Sequence, residues 1–168
     1  MIRIDDGHPF NWRDYIKLDD SYKDRFDDNG HVKERYQHAK DRVEYEKMAT
    51  QTLEKVMSQI SLIPEVQEAI KQSYELGKQR LERTHEVYGD AVREDTRMTL
   101  LIAGERSGGA YDFISHRLRI DPEEIRRFLL FSSDGSQHTF SLQDVIIHEL
   151  QHAADPTLTI DRDLQMKK

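Results

Sequence analysis

His148-Glu149-Leu150-Gln151-His152 sets two imidazoles four residues apart, with a carboxylate next to the first. On a helix, positions four apart project from one face about one turn apart, so both rings can reach a single metal ion. Glu149 falls to the side of that pair, where it can take a proton from a water that the metal polarises. Zinc lowers the pKa of such a water to about 7, which supplies a nucleophile at neutral pH. These residues therefore offer metal-assisted hydrolysis. So short a pattern also arises among ordinary hydrogen-bonded histidines, and this chain has eight His, so the surroundings must decide.

The surroundings favour a helix packed into the protein. Ser141 is a candidate N-cap, and Asp144 lies near the positive end of the helix dipole. Val145-Ile146-Ile147 runs straight into His148, and Leu150, Ala153 and Ala154 continue the apolar character. Pro156 is expected to end the helix at about Asp155. Imidazoles and a carboxylate on such a helix cost free energy unless something pairs them, and a metal would.

Residues 145–155, read with HExxH at their centre, resemble the active-site helix of the zincins, and of their gluzincin group in particular. The resemblance implies His148 and His152 as zinc ligands, Glu149 as general base and a peptide bond as substrate. It also implies an edge strand beside the cleft, to which a substrate backbone adds as a further strand. Residues 108–121 suit that role, because Tyr111, Phe113, Leu118 and Ile120 alternate with polar residues. The order of helices, short sheet and late HExxH helix is similar to that of small bacterial effector metallopeptidases. A secreted effector protease specific for one host protein is therefore an alternative to a general zinc metallopeptidase. A non-catalytic helical interaction protein, with a coincidental or vestigial HExxH, is a second.

A catalytic zinc needs three protein ligands, and the motif supplies two. Sixteen residues follow His152 and none is Glu, so the gluzincin third ligand has no counterpart among them. The metzincin third His is missing as well, since that position is Leu158 and the preceding Gly is Asp155. Asp155 is two turns from His148, a span of about 10 Å, too long to share one ion with metal bonds near 2 Å. It suits a residue that orients His152 or ends the helix. Asp161, beyond Pro156, can fold back over the metal and is the choice for third ligand. Asp163, His116, His138 or a residue beyond Lys168 are the alternatives.

Composition narrows the rest. A length of 168 residues suits one domain with a modest core. A net charge of −7 argues against nucleic acid as partner. The absence of Cys excludes disulfides and thiolate metal sites, and with them the Cys ligand of a peptide deformylase. No long apolar run is present near Met1, so neither a Sec signal peptide nor a membrane span is expected. The expectation is a cytoplasmic protein, or one exported without a cleaved signal, whose partner is a protein or peptide substrate.

The elements that must position these groups are expected in an α+β fold: N-terminal helices, a small mixed sheet and a buried HExxH helix. Residues 1–30 read as a polar arm, with Trp12 in a packing role, and residues 31–168 as a single zincin-like catalytic domain. Within it, residues 31–90 form the helical part and residues 97–168 the sheet and active-site helix. Apolar steps of three and four predict helices over 31–60 and 64–87, packed as an antiparallel pair. Val66, Ile70, Tyr74, Leu81 and Tyr88 form the expected apolar side of the second, which Gly77 weakens. Strands are predicted at 98–103 and 110–114, and a helix starting at Asp121-Pro122. Ser107-Gly108-Gly109 reads as a flexible loop, and the phosphate-cradling alternative fails because a strand follows it rather than a helix.

Overall fold

The computed structural model describes residues 9–89, 91, 93–104, 107–133 and 142–159. Its centre is a four-stranded mixed sheet in the order β1-β2-β4-β3: β1 (Ile16–Leu18), β2 (Met98–Ile102), β3 (Gly109–Asp112) and β4 (Arg117–Ile120). β1, β2 and β4 run parallel, and β3 closes one edge antiparallel to β4. The register aligns Ile16 with Met98, Leu100 with Leu118 and Ile102 with Ile120. Alternation along a strand then puts Ile16, Met98, Leu100, Leu118 and Ile120 on one face, where all are buried. Lys17, Thr99, Arg117 and Arg119 fall on the other.

The segment expected to be a polar arm does more than pack. Residues 16–18 enter the sheet as its second edge strand, which places two segments far apart in sequence side by side, Ile16 opposite Met98. Trp12 is buried just before it and donates its indole N–H to Ser58 Oγ at 3.3 Å. Its role is packing, as its isolation in a polar stretch suggested.

Four helices accompany the sheet among the described residues: α1 (Lys40–Ile60), α2 (Pro64–Tyr88), α3 (Pro122–Ser133) and α4 (Leu142–Ala153). The fold is thus α+β as expected. α1 begins nine residues later than the periodicity predicts. Val32 is held in a bridge to Phe26 around a turn at Gly30 (φ 82°), and a 3-10 segment, Glu34–Ala39, leads into the helix. α2 does start at Pro64 and stops at Gly89, whose φ of 72° is the left-handed C-terminal cap that glycine favours.

The expected antiparallel pairing of α1 and α2 is not what forms. α2 lies chiefly along α4, whereas α1 spreads its contacts over α3, α4 and β2. The inward stripe of α2 differs accordingly. Val66, Ile70, Ser73, Gly77, Arg80 and Thr84 are buried, and Tyr88 is exposed. Its first half faces the apolar core; its second half is glycine and polar side chains because it faces the end of α4 and the β3–β4 turn. No described helix is long and apolar enough to cross a membrane.

Candidate metal centre

α4 docks through Leu142, Ile146, Leu150 and Ala153, which repeat at steps of four, four and three and are all buried. That stripe fixes the rotation of the helix about its axis. His148, Gln151 and His152 consequently face outward, and Glu149, at 8% exposure, sits at the flank of the buried face. Burial falls on the carboxylate, and the imidazoles stand at a rim open to solvent.

The two rings converge. His148 Nε2 and His152 Nε2 are 3.0 Å apart, with ring centroids at 4.5 Å and planes nearly perpendicular. Two nitrogens bound to a tetrahedral zinc at its usual bond length lie about 3.3 Å apart, so both lone pairs could meet on one ion after a shift of a few tenths of an ångström. One ligand atom from each of His148, Glu149 and His152 lies within 4.8 Å of the others. A cleft of about 470 Å³ opens alongside, bordered by Ser107, Asp144, Ile147, His148 and Glu149.

The edge strand β3 runs against this helix. Tyr111 N–H donates to Glu149 Oε1 at 3.1 Å, so the outward-facing amide of the edge strand holds the carboxylate. Gly109 permits the approach: a Cβ there would lie 3.0 Å from Val145 Cγ1 and 3.2 Å from Ile120 Cδ1. Gly108, at φ 90°, turns the chain where a Cβ would meet the Glu124 carboxylate at 2.9 Å. The Gly108-Gly109 pair read as a flexible loop is therefore a fitted contact between strand and helix.

Behind Tyr111 lies a buried polar group reaching into α2. Arg80 Nη1 donates to the Tyr111 hydroxyl at 3.0 Å, and that hydroxyl meets His116 Nδ1 at 2.6 Å. Because the arginine can only donate, the Tyr111 oxygen accepts from it, and the His116 tautomer sets which of Tyr111 and Nδ1 donates in the second bond. His116 is completely buried at φ 54°, with Nε2 unpartnered among the described residues and directed at Gly77. Burial, reinforced by the charges of Arg93 and Arg80, pushes the His116 pKa down to about 3, so the imidazole is neutral. Burial likewise raises the Tyr111 phenol above its ordinary value.

These placements sort the sequence candidates. His148, Glu149 and His152 come together as the spacing required. Asp155 does not join them: Oδ1 accepts from Thr157 N at 2.9 Å and from Thr157 Oγ1 at 2.8 Å, forming the turn that ends the helix. Those bonds hold its carboxyl below the ordinary range. His116 faces α2 instead of the imidazole pair. Tyr111 meets the site through its backbone, since its phenol is committed to Arg80 and His116. Ser141, His138, Asp161 and Asp163 lie outside the described residues. Sequence reasoning missed Arg80, Gly77 and Gly109. The signal for Arg80 and Gly77 was the Ser73, Gly77, Arg80, Thr84 spacing, a helical stripe that a search for apolar periodicity passes over.

Comparison with family models, with curated proteins and with solved structures finds no match to this chain.

Proposed function

We propose that the chain is a zinc-dependent metallopeptidase of zincin type, acting on a protein or peptide. The observation that carries this reading is the convergence of His148 Nε2 and His152 Nε2 at 3.0 Å on the open rim of α4, beside a buried carboxylate. Two imidazoles spaced for one ion are a donor set that suits zinc, and an accessible rim leaves room for substrate. When bound there, zinc would supply Lewis acidity toward a water and a scissile carbonyl. His148 and His152 would hold it.

The chain's own residues perform the proton traffic. Tyr111 N holds Glu149 Oε1, and a Glu149 carboxylate oxygen takes up a proton from the attacking water. After attack, the same oxygen hands that proton to the departing amine. β3 is an edge strand of the sheet, and Ser107, two residues before it, borders the cleft, so an extended peptide entering beside that edge would bring its scissile bond near Glu149. Asp161 stays the proposed third ligand.

Metal analysis of untagged protein tests the reading. About one zinc per chain is expected, lost on His148→Ala or His152→Ala. Glu149→Ala is expected to keep the metal and abolish cleavage. A chain that binds no zinc at micromolar concentration refutes the proposal and leaves the non-catalytic interaction reading.

A further inference from the structure

Arg80 is only 3% exposed, yet among the described residues none of its hydrogen bonds goes to a carboxylate. Its guanidinium donates instead to three carbonyls and a phenol. Nη1 reaches Ala153 O at 2.6 Å and Tyr111 Oη at 3.0 Å; Nη2 reaches Asp155 O at 2.6 Å; Nε reaches Leu158 O at 2.8 Å. Burying a guanidinium costs free energy that only well-aimed acceptors offset, so a surface cap would hold the helix end at lower cost. A lysine could not reproduce the fork, because a single ammonium cannot span acceptors on three segments.

The acceptors show what the fork joins. Ala153 O and Asp155 O are carbonyls at the C-terminal end of α4, the negative end of its dipole, where a cation is favourable. Ala153 follows His152 directly. Tyr111 is the residue whose amide holds Glu149. Leu158 O lies on the segment leading toward Asp161. One side chain from α2 thus ties the turn carrying His152 to the strand carrying the Glu149 partner.

We infer that Arg80 is the positioning residue of the metal site, setting His152 and Glu149 in register through Ala153 and Tyr111. It stands outside the His148, Glu149 and His152 group and acts on it through Ala153 and Tyr111. The inference rests on the metal reading of His148 and His152 given above.

Cobalt(II) is the probe, because its visible d–d bands report coordination geometry without any need for turnover. Wild-type protein, Arg80→Lys, Arg80→Met and Ser73→Ala are titrated with cobalt at matched fractions folded, checked by circular dichroism. Ser73 is buried on the same helix and, among the described residues, its hydroxyl bonds within it, to Ile70 O at 2.8 Å, so it is the control for destabilisation without loss of the fork. Groups that orient metal ligands contribute about 10- to 100-fold in affinity. Arg80→Lys is expected to bind cobalt about ten-fold more weakly or more and to shift the bands; Ser73→Ala keeps both affinity and spectrum. If Arg80→Met fails to fold, Arg80→Lys and Tyr111→Phe carry the test, the latter removing one arm of the fork. Unchanged affinity and bands in folded Arg80→Lys and Tyr111→Phe overturn the positioning role. Absence of cobalt binding by the wild type instead overturns the metal reading itself, so the two failures are distinct.

Discussion

Gly77→Ala exchanges a glycine inside α2 for the best helix former, and on an exposed helix it would stabilise by up to about 1 kcal/mol. Here the sign should reverse. The added Cβ would lie 2.1 Å from His116 Nε2 and 2.5–2.6 Å from the neighbouring ring carbons, well inside contact distance, so the ring would have to retreat by more than an ångström. It has nowhere to go: Nδ1 is 2.6 Å from the Tyr111 hydroxyl, and its carbonyl accepts from Thr99 N at 3.2 Å. Overpacking of this kind costs about 1–3 kcal/mol, and loss of the Tyr111 bond adds about 1 kcal/mol. The net expectation is destabilisation by roughly 1–3 kcal/mol, read as a lower midpoint at unchanged slope in urea unfolding. In a His116→Ala background the obstruction is gone, and the same change should stabilise by about 1 kcal/mol through helix propensity. Gly77→Ala stabilising the wild-type chain, or destabilising both backgrounds equally, would refute the packing argument.

Acid should expose the buried neutral imidazole. His116 has its pKa lowered from 6.5 to about 3, so the unfolded state binds more protons between those values. Stability must therefore fall as pH drops below about 6.5, at up to about 1.4 kcal/mol per pH unit. His116→Asn tolerates the positive φ and should flatten that slope between pH 6.5 and 5 in urea midpoints; an unaltered slope removes the assignment. Glu149→Gln retains an oxygen for Tyr111 N, so zinc content should be kept while hydrolysis falls by about 10²–10⁴-fold, the usual contribution of a general base. A variant that cleaves at the wild-type rate removes Glu149 from the mechanism. Gly109→Ala should push β3 away from α4 and, by moving Tyr111, lower cleavage more than it lowers zinc affinity; equal losses in both would contradict that route.

The site was legible in the sequence to the extent that it obeys local helical geometry. His148, Glu149 and His152 needed only a spacing of four and an apolar helix around them; β3 and β4 showed themselves by alternation and β2 as an apolar run. Residues 16–18 were harder, because a three-residue edge strand offers almost no period and its partner in β2 is some eighty residues away. The helix pairing failed for a related reason: an apolar stripe says that a face is covered, without saying by what. Arg80, Gly77 and His116 were illegible in a stronger sense. Each departs from its local preference: a buried cation, a glycine inside a helix and a histidine at φ 54°. Only the tertiary contacts among them explain those departures.

X-ray absorption at the zinc edge of metal-loaded protein tests the central claim most directly. The account predicts about one zinc per chain, with scattering from two imidazoles at about 2.0–2.1 Å that disappears in the His148→Ala, His152→Ala double variant. A zinc shell without imidazole scattering, or one that survives the double substitution, would contradict it.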